Sequence, residues 1–268
     1  MTAAYLRCFS GVVYRELLRF VQQRGRFVAA LVRPLIWLVV FAAGFRMALG
    51  VAITPPYQTY IPYEVYIVPG LIGMVQLFNG MQSSLSMVYD REMGSMRVLL
   101  VSPLPRPFLL VSKLVAGTFV SIVQVYAFLL IAWLYGIRLT ATGALMILPA
   151  LFLVGLMVGS LGLLLSSFIR QLENFAGVMN FVIFPMFFIS SALYPIWRLR
   201  EASPLIARLA ELNPFTYGVE MIRFALYRQM NWEATAIVAA TTAVLLAFAI
   251  LGYNPARGMM ARKAATAE

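Results

Sequence analysis

The chain has 268 residues, 62% of them hydrophobic and 12% charged, with 21 Lys and Arg against ten Asp and Glu. A water-soluble fold of this length needs far more polar surface. The single cysteine, Cys8, excludes an internal disulfide framework, and the lack of histidine removes the commonest metal ligand and general base. A net charge of +11 would suit nucleic acid, but in a chain this apolar it reads as flanks facing anionic headgroups.

Residues 3–27 form an amphipathic helix by pattern. Leu6, Phe9, Val13, Leu17 and Phe20 recur at helical spacing, while Arg7, Arg15, Arg19 and Gln22 fall largely on other faces. No short apolar core with a small-residue cleavage site follows these arginines, so no cleavable leader is expected. The first membrane crossing is placed at 30–50. Its charge-free core between Arg33 and Arg46 is only 12 residues, so both arginines are expected to snorkel outward. Residues 51–63, with Pro55, Pro56, Pro62 and three tyrosines, read as a loop and an interfacial aromatic belt.

Further crossings follow at 65–88, 109–135, 143–168, 175–194 and 234–253, each near the ~20 residues a bilayer requires. Before the last one lies 195–233. There Ser203-Pro204 and Asn213-Pro214 pair an N-cap with proline at the first helical position, predicting short helices at 204–211 and 214–229. Their apolar residues suit helices that dip into the outer leaflet under protein cover. Six crossings place both termini on one side. With the termini inside, 14 of the 21 Lys and Arg are cytoplasmic, so both termini are expected in the cytoplasm.

No carboxylate lies mid-span, since Glu64, Asp90 and Glu173 all sit at predicted edges; this disfavours an ion-driven carrier. A phosphate-cradling G-x-x-x-x-G-K-[ST] loop is also missing, because neither Lys113 nor Lys263 has that context. Work done by this chain must therefore be powered from another one. The stretch "VYDREMGSMRVLLVSPLPRP", residues 88–107, is where force could enter. It holds the only aspartate, and read as a helix over 89–100 it turns Met93, Met96 and Leu100 to one side and Arg91, Glu92 and Ser95 to another. Gly94 permits close approach, and Pro103, Pro105 and Pro107 stop the helix and stiffen the entry into the third crossing. From the residues alone, an ordinary interfacial loop serves equally well.

Three pieces together resemble the permease subunits of ABC-2 type (type V) exporters of the bacterial half-size drug- and lipid-export kind. These are the six-span layout behind an amphipathic N-terminal helix, the segment "PGLIGMVQLFNGMQSSLSMVYDREMGSMRVLLVSPLPRPFLLVSKL" at 69–114, and "LNPFTYGVEMIRFALY" at 212–227. The resemblance covers nearly the whole chain. It implies an all-α polytopic membrane helix bundle with six transmembrane helices. An N-terminal amphipathic interface helix (1–29) would precede the transmembrane domain (30–268), with a coupling loop at 89–108 and outer re-entrant helices within 195–233. Two copies, as a homodimer in a bacterial plasma membrane, would pair with two separate ABC ATPase subunits that carry ATP and Mg, leaving this chain without catalytic residues, cofactor or metal. The ATPases would push on Asp90, Arg91, Glu92, Met93, Gly94, Ser95, Met96 and Arg97. Asn213, Pro214, Phe215 and Tyr217 would belong to an outer gate.

In that family the second and fifth spans line the path. Here the second carries a stripe of Gly73, Gln76, Asn79, Ser83 and Ser86, and the fifth offers Asn180, Phe184, Phe187 and Phe188 with a kink at Pro185. Gln76, Asn79, Ser83, Asn180, Phe184, Phe187 and Phe188 are the candidate path, suited to a hydrophobic or amphiphilic cargo such as a drug, lipid or lipid-linked molecule. The alternative for each is helix–helix glue. Gly155 and Gly159, and the stripe Lys113, Gly117, Ser121 and Gln124, read as packing faces, with Lys113 snorkelling to the cytoplasmic interface. A passive scaffold or scramblase without energy coupling is the alternative function. A membrane-embedded enzyme is disfavoured by the missing histidine and mid-span carboxylates.

Overall fold

A computed structural model describes residues 2–22, 24–45, 55–59, 61–92, 104–137, 140–169 and 171–252. Every regular element among them is a helix: α1 (Thr2–Gln22), α2 (Arg24–Phe45), α3 (Tyr63–Glu92), α4 (Arg106–Leu134), α5 (Ala141–Met146), α6 (Leu148–Phe168), α7 (Leu172–Phe188), α8 (Ile196–Ala202), α9 (Pro204–Leu212), α10 (Pro214–Leu226) and α11 (Trp232–Gly252). Proline sets many of the starts. Pro107, Pro149, Pro204 and Pro214 sit in first turns, where a missing N–H costs nothing. Gly136, at φ +106°, makes the turn after α4 that a residue with a Cβ would resist.

The central element is α3. Ile67, Val68, Leu71, Ile72, Leu77, Met81 and Val88 are buried on it all round. It packs against α2, α4, α6, α7 and α10, while α11 covers α6 from the other side. Close backbone approach makes this possible: a Cβ at Gly155 would press on Thr118 and on the Gln76 side chain, and one at Gly159 would strike Leu114. The Gly155/Gly159 face of α6 is thus where α3 and α4 nest.

Among the described residues, three helical segments are both long and apolar enough to cross a bilayer: Arg106–Leu134, Thr142–Phe168 and Trp232–Gly252. The other expected crossings are helical but fall short on one count each. On α2 the apolar part found among the described residues is Ala30–Phe41, with Arg33 and Pro34 inside it; α7 is apolar but has 17 residues. On α3 the length is ample at 30 residues, and its polar stripe and terminal charges dilute the apolar character. Thr142–Phe168 runs through α5 and α6, which meet at Ile147 ahead of Pro149.

Several boundaries differ from the sequence reading. Described helix covers Thr2–Gln22 and Arg24–Phe45, so α2 is already helical before the expected 30. The half-buried side of α1 carries Tyr5, Phe9, Val13, Leu17 and Phe20 against α4, with the Tyr5 and Phe108 rings edge-to-face at 4.9 Å. Leu6, expected on that apolar face, instead points outward with Tyr14, Leu18 and Val21. So α1 carries two apolar stripes, one for the protein and one left over. The fifth crossing stops at Phe188 rather than 194, because Pro185 and the turn at 189–194 end it. Ser203 stands at the predicted cap of α9, but its hydroxyl makes no capping bond.

Candidate functional site

The stretch that opens the coupling question is not a separate helix where it begins. Asp90, Arg91 and Glu92 continue α3 without a break. Met93, Gly94, Ser95, Met96 and Arg97 lie outside the described residues. The exposed Glu92 carboxylate accepts a hydrogen bond from the backbone N–H of Leu172, the first residue of α7, at 3.3 Å. A carboxylate at a helix N-terminus meets the positive end of the dipole and an otherwise orphan donor. The last residue of α3 therefore holds the start of α7.

The far end of α7 is held just as specifically. The Asn213 amide donates to the carbonyl oxygens of Met186 at 2.7 Å and Ile189 at 2.6 Å. Its Oδ1 accepts from the Phe215 N–H at 3.0 Å and caps α10. One side chain thus closes the C-terminus of one helix and the N-terminus of another, meeting the orphan groups of both. Pro214 follows it in the first turn, Phe215 is fully buried against Phe187, and Tyr217 is half-buried on α10.

Further along α10 sits a charge that sequence reading missed. Arg223 of α10 is 2% exposed, pairs with Glu220 through Nη1, and donates through Nη2 to the Ser191 carbonyl at 2.7 Å. Its guanidinium lies 4.2 Å from the centre of the Tyr66 ring, and the Tyr66 hydroxyl donates to that same Ser191 carbonyl at 3.2 Å. Tyr63, one turn earlier on α3, donates to the Leu193 carbonyl at 3.0 Å. A Cβ at Gly70 would overlap the Ala192 carbonyl. Burial pushes the phenol of Tyr57, tilted against Tyr66 and edge-to-face with Tyr227, well above its ordinary range, so it stays neutral beside this arginine. The turn at 189–194 is thereby fixed to α3 and α10. The signal lies in Glu220 and Arg223 at i,i+3 with Tyr63 and Tyr66 at the same spacing, but neither pair shows in sequence that it meets the other.

The candidate path residues divide between two environments. Gln76 is fully buried, donating to the Leu151 carbonyl at 3.1 Å and accepting from the Ser121 hydroxyl at 2.8 Å. Asn79 donates to Gln124 Oε1. The polar stripes of α3 and α4 therefore face each other inside one protomer. Ser83 is half-buried beside them, at a recess of about 10 Å³ shared with Lys113, Ser84 and Met87, room for roughly one water. Lys113 is 5% exposed there, so it does not snorkel outward as expected. Phe187 is buried among Trp37, Phe188 and Phe215. Asn180, Phe184 and Phe188 lie on the protomer surface, where Phe181 is 79% exposed.

Residues 7–227 match the family model described as ABC-2 type transporter. The proteins named transport permease ycf38 are similar: that of Cyanophora paradoxa is 30% identical over 219 residues, 80% of this chain and 72% of the relative, and that of Porphyra purpurea 28% over 230 residues, 84% and 75%. The protein named multidrug ABC transporter permease YbhR of Escherichia coli K12 is 30% identical over 171 residues, 62% of this chain and 45% of the relative. With its apolar membrane-length helices, the chain is a membrane transport component and belongs to the ABC-2 type transporter family, in which ATP hydrolysis falls to a partner subunit.

Proposed function

We propose that the chain is the permease subunit of an ATP-driven exporter. Two copies form the path, and two separate ATPase subunits, carrying ATP and Mg, dock on the α3–α4 connection at the cytoplasmic face of a bacterial plasma membrane. The observation that carries this reading is the double fastening of α7. Glu92, at the edge of the proposed coupling segment 90–97, holds its first residue at 3.3 Å, and Asn213 holds its last turn. A displacement of the coupling segment would move a 17-residue helix whose other end is tied to α10 and the 189–194 turn, the proposed outer gate. Packed helices transmit such shifts because cores are close-packed and do not deform continuously.

In this reading α1 rides on the cytoplasmic face. Its half-buried stripe grips α4, and its outward stripe of Leu6, Tyr14, Leu18 and Val21 enters the headgroup region between exposed Arg7 and Arg15. The cargo is hydrophobic or amphiphilic, in keeping with the exposed aromatic face of α7 and with the multidrug name of one relative.

The test is co-purification of the permease with its ATPase, followed by reconstitution. Glu92→Gln should leave ATP hydrolysis and complex formation intact while efflux per ATP falls by about an order of magnitude, because the bond that carries motion to α7 loses its charge. A permease that recruits no ATPase would instead be a passive scaffold or scramblase.

A further inference from the structure

The side chain that this mechanism leaves over is Arg33. The sequence places it at the inner edge of the first crossing, snorkelling outward; in the structure it turns onto α3. Its guanidinium lies 3.8 Å from the centre of the Phe78 ring of α3. Phe78 is 14 residues from Glu64 and 12 from Asp90, the charged residues near the two ends of α3. At 1.5 Å per residue these are about 21 and 18 Å, so the cation stands near mid-depth in a hydrocarbon core about 30 Å thick. Arg33 is nevertheless on the protomer surface, and among the described residues it has no carboxylate partner. An arginine there is costly unless something anionic meets it, and such residues mark pathways.

The surroundings say what kind of group fits. Arg33 and Gln82 edge a recess between α2 and α3 whose floor is Met74, Val75 and Phe78. Its volume is about 30 Å³, room for roughly two water-sized atoms. Guanidinium and amide offer fixed donors suited to two oxygens of a phosphate or carboxylate, and the apolar floor continues onto surface that suits a hydrocarbon tail. A lipid resident in either leaflet keeps its headgroup at the interface, far from this level. We propose that the recess is a transit site for the anionic headgroup of an amphiphile, with Arg33 as the residue that selects cargo by charge. This rests on the export reading above and names the class of its cargo.

The complex with its ATPase, reconstituted in phosphatidylcholine vesicles, tests it with two fluorescently labelled dioleoyl lipids, phosphatidic acid and phosphatidylcholine. ATP-driven movement should favour phosphatidic acid. Arg33→Gln should reduce that movement roughly tenfold or more, leaving phosphatidylcholine as it was, and Arg33→Lys should keep the preference. Trp37, one turn from Arg33 on α2, gives a second readout in the permease alone. With the other three tryptophans changed to Phe, brominated phosphatidic acid should quench it more than brominated phosphatidylcholine at equal mole fraction, and Arg33→Gln should erase the difference. ATP-driven movement without headgroup preference overturns the site and leaves the export reading standing. Headgroup-selective quenching without ATP-driven movement overturns the export reading and leaves the site. Equal loss of both lipids in Arg33→Gln, or dissociation of that variant into single permease chains, shows that Arg33 serves packing or a second copy, and the proposal fails.

Discussion

Arg223 donates to the carbonyl oxygen of Ser191 at 2.7 Å, joining α10 to the turn that follows α7. The bond is made by a buried charge that also pairs with Glu220 and lies over the Tyr66 ring. Breaking a buried pair costs more than removing it, because the survivor keeps its desolvation penalty. Arg223→Met should therefore destabilise the protein by about 3–5 kcal/mol. The double variant Arg223→Met/Glu220→Met should recover much of that. Thermal unfolding of the detergent-solubilised protein checks both, and equal losses in single and double variants would show that the pair is not coupled.

Asn213 does two jobs that one substitution separates. Asn213→Asp keeps an acceptor for the Phe215 N–H but can no longer donate to Met186 and Ile189. The cap survives and the tether is lost. The expected result is a folded permease of nearly unchanged helix content that still recruits and stimulates its ATPase, with export per ATP reduced severalfold. Asn213→Ala loses both roles and should in addition lose about 1 kcal/mol of stability from the cap. Equal export in Asn213→Asp and the native protein would mean that the end of α7 need not be held.

What could be read from the sequence was whatever repeats or punctuates. Apolar runs and prolines gave the helices at 109–135 and 234–253 to within a few residues, and Asn213-Pro214 gave the start of α10, because these signals are local. The partners of polar side chains were not legible. The stripe at Gln76 and Asn79 shows a shared face, but only packing reveals that it meets Ser121 and Gln124 of α4, 45 residues away in each case. The partner of Arg33, the Phe78 ring, was hidden for a related reason. In sequence Arg33 bounds a short apolar run, while its depth depends on how far α2 slides along α3. Arg223 was hidden because charges in a neutral, proline-broken segment look solvent-exposed until the fold buries one.

Glycines on α3 and α7 should respond oppositely to the same change. A Cβ at Gly70 would overlap the Ala192 carbonyl, which is backbone and cannot turn aside, whereas at Gly177 nothing lies within 4 Å. Gly70→Ala should cost about 1–3 kcal/mol through forced separation of α3 from the 189–194 turn. Gly177→Ala should be neutral or stabilise by up to about 1 kcal/mol through helix propensity. Unfolding midpoints in one detergent compare them directly. A Gly70→Ala protein as stable as the native one would mean that the turn can yield there, and with it the anchoring inferred for the end of α7.

The contact between Asn79 and Gln124 decides whether the α3 stripe is glue or path. If the amides only hold α3 to α4, then Asn79→Leu strands the Gln124 side chain in the interior and costs about 1–3 kcal/mol. Asn79→Leu/Gln124→Leu leaves no orphan and should regain most of that stability. Export should follow stability and recover with it. If Asn79 instead faces cargo during transport, the double variant should be stable yet still defective, with a lower affinity for a polar cargo group. The burial of Asn79 at 9% exposure and its bond within the protomer favour the first outcome. If polar groups at the protomer surface such as Arg33 and Asn180 meet cargo, substitutions there should alter which cargo is moved while leaving the unfolding midpoint in place.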